Sequence, residues 1–235
     1  MMRSPLIVAL DFPTLEQAMA CAKRMNPETV RVKVGKQLFT SAGPQVVSSL
    51  HELGFDVFLD LKFHDIPNTV AGAVGAAADL GVWMVNVHAS GGRRMMEAAA
   101  NAVAQRGNKT QLIAVTVLTS MDQSDLADLA ITESPADRVL RLAALAKTSG
   151  MDGVVCSAQE ATQLSREHGR DFSLVTPGIR MPGDDAGDQR RVVTPWDAIA
   201  GGSTHLVMGR SITGASSPAE TVQQILDRLT PSDYP

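Results

Sequence analysis

Val57-Phe58-Leu59-Asp60-Leu61-Lys62-Phe63-His64-Asp65-Ile66-Pro67-Asn68-Thr69 is the stretch on which the reading of this chain turns. It opens as a short apolar run that suits a buried strand. Successive side chains of a strand point to opposite faces, so Asp60 and Lys62 share one face, with Asp65 just beyond the strand end. A carboxylate beside an ammonium directly after an apolar run is costly to bury unless each charge is paired, and such an array is then a mark of chemistry. A solvated ion-pair cluster is the other reading of the triplet taken alone.

Working outward, similar apolar runs recur along the chain at Leu6–Leu10, Val30–Val34, Val82–Val87, Leu112–Leu118, Gly153–Cys156, Ser173–Val175 and Leu206–Met208. Helix-forming stretches separate them: Leu15–Met25, Gly43–Leu53, Thr69–Leu80, Arg93–Gln105, Ala136–Thr148, Ala158–His168, Pro195–Ala200 and Pro218–Leu229. Thr14, Ser134 and Ser217 supply start signals, and Gly54, Gly81, Gly107 and Gly150 supply left-handed stops. Strands that are almost wholly apolar and alternate with helices imply a parallel sheet buried on both faces. A (β/α)8 TIM barrel takes about 250 residues, which fits this chain as a single barrel domain over 1–235. A doubly wound open sheet is the alternative, but Asp11-Phe12-Pro13 stands where a dinucleotide-binding glycine turn belongs.

Composition narrows the function classes. Hydrophobic residues make up 44% and charged residues 20%, an ordinary globular balance, and the net charge of -4 comes without a basic stripe for nucleic acid. Only two cysteines, Cys21 and Cys156, are present, neither in a metal-ligand pair, which suits a reducing compartment. No apolar segment is long enough to span a bilayer and the N-terminus has no cleavage signal. These features point to a cytoplasmic protein.

Polar residues collect at the C-terminal ends of the expected strands, the rim where barrel active sites are built. Asp11 follows the first strand, Lys33 lies in the second, and Asp60, Lys62 and Asp65 belong to the third. His88 ends the fourth, Thr119 and Ser120 the fifth, Ser157 the sixth, Arg180 follows the seventh, and Gly209-Arg210-Ser211 the eighth. Lys33 is either a snorkelling structural lysine or one link of an alternating chain Lys33–Asp60–Lys62–Asp65, in which each charge compensates its neighbour. Such a chain holds Lys62 protonated and placed as a proton donor. Asp11 is a hydrogen-bond acceptor for substrate hydroxyls or the cap of the first helix. Gly209 and Arg210 read as a phosphate grip. The polar, glycine-containing segment Arg180–Arg191 reads as a lid or as a plain surface loop, with Gln189 able to reach back to a phosphate. His64 and His88, with Asp60 and Asp65, invite a metal reading. A cation there would stand beside Lys33 and Lys62, which is electrostatically unfavourable, so no metal is expected.

Over nearly its full length the chain resembles the orotidine 5′-phosphate decarboxylases. The most specific element is Phe58 to Thr69, supported by Leu10-Asp11, Lys33-Val34-Gly35, Val115 to Ser120, Val175 to Arg180, Gly187 to Arg191 and Gly209-Arg210. The resemblance implies conversion of orotidine 5′-monophosphate to uridine 5′-monophosphate and CO2, the last step of de novo pyrimidine nucleotide synthesis, without metal or organic cofactor. By that likeness Lys62 protonates C6, Asp60 lies beside the departing carboxylate, and Lys33 positions Asp60 and the ribose. Asp65 and Thr69 are expected to reach across a homodimer interface. Asp11 contacts the ribose, Thr119 and Arg180 adjoin the substrate, and Gln189, Gly209 and Arg210 engage the phosphate. Two rivals stand beside it. One is a metal-dependent sugar-phosphate barrel, for which Ile66-Pro67-Asn68-Thr69 is the wrong continuation. The other is a non-catalytic nucleotide-binding barrel, which has no reason to keep a costly charge array.

Overall fold

The computed structural model describes residues 4–107, 109–184 and 193–229. Eight strands, β1 (Leu6–Ala9), β2 (Arg31–Gly35), β3 (Val57–Phe63), β4 (Met84–His88), β5 (Gln111–Val115), β6 (Gly153–Val155), β7 (Ser173–Thr176) and β8 (His205–Met208), pair in parallel in chain order. β8 closes on β1 through Leu6↔Leu206 and Val8↔Met208, so the sheet is a barrel and the open-sheet alternative falls. Around it run α1 (Leu15–Ala22), α2 (Lys36–Ala42), α3 (Gln45–Glu52), α4 (Pro67–Asp79), α5 (Arg93–Ala104), α6 (Gln123–Asp128), α7 (Pro135–Thr148), α8 (Ala158–His168), α9 (Pro195–Ala200), α10 (Arg210–Thr213) and α11 (Pro218–Leu226). No helix among the described residues is long and apolar enough to cross a membrane.

Period-two alternation sorts every strand into an outer and an inner set. Leu6, Val8, Val32, Val57, Leu59, Val85, Leu112 and Leu206 pack outward into the large core beneath the helices. Ile7, Ala9, Phe58, Met84, Ile113, Val175 and Val207 fill the barrel interior as a separate cluster. Lys33, Asp60 and Asn86 occupy the next inward positions toward the rim, so the interior changes from apolar to charged within one layer.

Three elements differ from the sequence expectation. The helix expected over 43–53 is α3 alone, and α2 is an additional helix ahead of it, separated from α3 by Gly43, at φ 67°, and Pro44. Asp122 starts the unexpected α6, where it accepts from the N–H groups of Ser124 and Asp125. The fifth strand ends at Val115 rather than Leu118, since its pairing with β6 stops at Val115↔Val155. The chain then leaves the sheet and Val117–Ser120 line the site. The expected glycine stops hold, with φ of 86°, 77°, 62° and 85° at Gly54, Gly81, Gly107 and Gly150.

At the opposite end the barrel is plugged by a polar stack. The Arg31 guanidinium lies 4.1 Å from the Trp83 ring centroid, and the His205 ring lies 5.3 Å from Trp83. Burial, reinforced by Arg31, holds the His205 imidazole down at a pKa of about 3, so it is neutral in the folded protein. The unfolded chain takes up that proton near the ordinary value of about 6.5, so acid favours unfolding between these limits. At pH 5 the loss from this one residue is about 2 kcal/mol. Burial, with His64 next, lowers His88 to about 4, and it acts in the same direction, less strongly because it is half exposed. Urea unfolding of wild type and His205→Gln at pH 7.5 and pH 5 measures the effect. The variant is expected to lose less stability between the two, and equal losses would rule the assignment out.

Candidate active site

β3 carries the centre of the site. Its regular register with β4 runs through Leu59↔Val85, shifts, and resumes at Phe63↔Val87. Lys62 lies inside the shift with φ 54°, a left-handed backbone that costs a non-glycine residue about 1–3 kcal/mol. Simple alternation therefore does not bring Lys62 beside Asp60; the irregularity does. Lys62 Nζ donates to Asp60 Oδ1 at 2.5 Å. Asp60 Oδ2 lies 3.4 Å from Lys33 Nζ, which in turn donates to Asp11 Oδ1 at 3.0 Å.

The network thus runs Asp11–Lys33–Asp60–Lys62. Asp11 is not a helix cap, since Thr14 caps α1. Nor is Lys33 a snorkelling lysine: its side chain is only 10% exposed and its ammonium has two carboxylates. Burial pushes Lys33 toward neutrality, but Asp60 and Asp11 outweigh it and raise its pKa above the usual lysine value. Burial likewise pushes Asp60 upward, and Lys33, Lys62 and a hydrogen bond from Asn86 reverse this, leaving Asp60 below the usual carboxylate range. Lys33 and Asp60 are therefore both charged at neutral pH.

Asp65 does not join this network within the chain. It is exposed, and its Oδ1 accepts from the N–H of Ile66 at 2.6 Å. Ile66 itself is 67% exposed, and Thr69 in the first turn of α4 is exposed beside it. His64 and His88 stack with ring centroids 5.6 Å apart. Among the described residues no three His, Cys, Asp or Glu side chains gather as a ligand set.

Two adjoining cavities open over the array. The first, of about 760 Å³, is lined by Asp11, Lys33, Asp60, Pro177, Gly178, Arg180, Gly209 and Arg210. The second, of about 320 Å³, shares Lys33, Asp60, Pro177 and Val207, adds Lys62, Thr119 and Ser120, and is otherwise walled by Phe58, Val115, Val117, Leu118, Val155, Cys156 and Val175. Arg180 and Arg210 line the first chamber, whose surface is mixed, whereas the second is mainly apolar and carries Lys33, Asp60 and Lys62. Gly209 precedes α10, and a Cβ there would stand 4.0 Å from Asp11 Oδ2, which brings the eighth strand end against the first. Arg180 is buried, with Nη1 donating to the Ile179 carbonyl at 3.0 Å. Gln189 lies outside the described residues, as does the segment 185–192 of the expected lid.

One residue went unassigned in the sequence. Asn86 on β4 is fully buried, donates from Nδ2 to Asp60 Oδ1 at 2.7 Å, and accepts the Lys62 N–H on Oδ1 at 2.8 Å. A lone amide between Val85 and Val87, on the inward set of an apolar strand, was the signal available. Its partners were not legible, because they depend on the register shift in β3.

Fold and site together define a (β/α)8-barrel enzyme, with a buried ion network at the rim beneath a chamber suited to an anionic small molecule. The Orotidine 5′-phosphate decarboxylase / HUMPS family model matches residues 4–225, and the chain belongs to this family. A protein of Marinomonas sp. named orotidine 5′-phosphate decarboxylase is 65% identical over 94% of this chain and 95% of its own length. One of the same name from Alcanivorax borkumensis is 63% identical over 96% of this chain and 98% of its own. The crystal structure of orotidine 5′-phosphate decarboxylase from Lactobacillus acidophilus superposes with a TM-score of 0.85 at 40% identity, covering 95% of this chain and 98% of that one.

Proposed function

We propose that this protein removes CO2 from orotidine 5′-monophosphate to give uridine 5′-monophosphate, the closing step of pyrimidine nucleotide synthesis. The observation that carries the reading is the Asp11–Lys33–Asp60–Lys62 network, buried at Lys33 and Asp60, between an arginine-lined chamber and a mainly apolar one. Full-length relatives of the same name support it. The phosphate sits by Gly209 and Arg210, with Gln189 and Arg180 adjoining, and the ribose meets Asp11 and Lys33. The pyrimidine enters the smaller chamber near Thr119, with C6 toward Lys62.

The chemistry follows from the charges. Breaking the bond from C6 to the carboxylate leaves an electron pair on ring carbon, and no electron sink lies within the ring. A fixed ammonium beside C6 stabilises that charge as it develops and then delivers a proton to it. Asp60 holds Lys62 in place and stands close to the substrate carboxylate, so binding brings two anions together and departure of CO2 separates them. Phosphate contacts remote from the reacting bond supply the binding energy that this costs. Solvent reprotonates Lys62 after release of product.

The test is loss of the orotate ultraviolet band when purified, chelator-treated protein meets orotidine 5′-monophosphate. Turnover is expected. A folded protein that leaves the band unchanged would remove the reading.

The active unit is a homodimer in which Asp65 and Thr69 enter the neighbour's site. Support comes from the exposed Asp65–Ile66–Thr69 patch and from the absence of Asp65 from its own chain's network. Mixing Lys62→Ala with Asp65→Ala protein under exchange conditions is expected to restore activity, because one site of each heterodimer has both residues intact. Confirmed heterodimers without activity would refute sharing. We assign the cytoplasm as the compartment, consistent with Cys21 and Cys156 both being free and buried.

A further inference from the structure

Between the two regular pairings, β3 advances from Leu59 to Phe63 while β4 advances only from Val85 to Val87, so β3 has two surplus residues there. Backbone groups in such a bulge lose their strand partners, and a buried N–H without an acceptor is costly. Asn86 faces the surplus and replaces the lost partner, its Oδ1 accepting the Lys62 N–H at 2.8 Å. Its Nδ2 donates at 2.7 Å to Asp60 Oδ1, the same oxygen that accepts Lys62 Nζ. The amide has one orientation only, since an oxygen cannot face the carboxylate and a nitrogen cannot face the N–H. Asn86 thereby grips Lys62 at both ends: its backbone directly, its ammonium through Asp60. It lines neither cavity and so acts through its neighbours.

We infer that Asn86 is a positioning residue for the decarboxylation, locking the left-handed backbone of Lys62 and the rotamer of Asp60 so that the ammonium is fixed at the reacting carbon. The inference rests on the decarboxylase reading. Wild-type turnover and its loss in Lys62→Ala test that reading with Asn86 intact, so the two can fail separately.

Asn86→Ala frees both ends of Lys62. A misplacement of that size is expected to lower kcat about 100-fold. KM for the substrate and affinity for uridine 5′-monophosphate are expected to stay within about threefold, because the phosphate and ribose contacts are untouched. Asn86→Asp gives a sharper signature. When protonated, the introduced carboxyl can donate to Asp60 and accept from the Lys62 N–H, as the amide does. When ionised, it loses the donor and sets two carboxylates face to face. Buried together, such a pair retains one proton well above the ordinary carboxylate range. The charged groups facing this point are Lys33 on β2 and Lys62 on β3, with the imidazole of His88, titrating at about 4, further along β4; Ile113, the β5 partner of Asn86, brings none.

Asn86→Asp is therefore expected to approach wild-type kcat at the acid end of the profile. Its kcat should then fall tenfold per pH unit above the pair's pKa, a limb without a counterpart in the wild type, where the Asn86 amide does not titrate. A role confined to packing would move no such limb. Three results would overturn the inference. These are Asn86→Ala within threefold of wild-type kcat, proportional loss of kcat and product affinity in Asn86→Ala, or an Asn86→Asp profile parallel to wild type. If Asn86→Ala fails to fold, the Asn86→Asp profile decides alone.

Discussion

Lys62→Ala is expected to lower kcat by about 10⁵-fold, with affinity for uridine 5′-monophosphate nearly unchanged. Two effects combine in that figure: general-acid delivery of a proton, about 10²–10⁴, and a fixed charge facing the developing carbanion, about 10²–10³. Product affinity survives because Gly209, Arg210 and Asp11 lie along the larger cavity, which Lys62 does not line. The fold survives as well. Asp60 keeps Lys33 at 3.4 Å and Asn86 at 2.7 Å, and alanine leaves no unpaired charge in the interior. Lys62→Arg separates the two contributions, since a guanidinium retains the positive charge but does not release its proton at neutral pH. Intermediate activity in the arginine variant would apportion the effect between charge and proton. A Lys62→Ala kcat within 100-fold of wild type would show that another group protonates C6.

Asp60→Ala is expected to act on stability and rate together. Asp60 is the shared acceptor of Lys33 and Lys62, whose side chains are only 10% and 25% exposed. Removing it leaves two partly buried ammonium groups facing each other, with Asp11 alone, itself 65% exposed, to compensate Lys33. Breaking a buried ion network from one side costs about 3–5 kcal/mol, and the solvent reaching Lys62 places this case at the low end. Loss of the support for Lys62 is expected to reduce kcat by about 10³-fold. The sign of the pH dependence follows from the depressed Asp60 pKa. Its stabilisation is fully present above the unfolded value of 3.8 and is lost as pH falls through the lower folded value. The stability gap between wild type and variant, followed by urea unfolding, should therefore hold through neutral pH and close only in strong acid. A variant as stable as wild type at pH 7 would mean that the network does not contribute to folding.

Much of this architecture is legible along the chain because it depends on local regularities. Strand and helix placement follow from apolar periodicity and from glycine and hydroxyl signals, and both the four glycine stops and the Ser134 and Ser217 caps appear where the residues indicate. The misread positions are those where a neighbour decides. α2 forms ahead of Gly43, where the sequence reading places no helix, and β5 stops at Val115 because its pairing with β6 ends there. The pairing of Lys33 with Asp11 rather than only with Asp60 depends on β1 and β2 lying side by side with Ala9 opposite Lys33.

By itself the sequence determined the alternation of parallel strands and helices, the family, and which strand ends carry Asp11, Lys33, Asp60, Lys62, Arg180 and Arg210, while closure of the sheet was left to the structure. Alternation and helical period are properties of the covalent chain, and the rim residues are charges in otherwise apolar strands. Only the tertiary structure decided which charges touch, that Asp65 lies outside its own chain's network, and that Asn86 joins Asp60 to Lys62. Those contacts arise where β3 slips past β4 and where β8 closes on β1, and both depend on residues far apart in sequence.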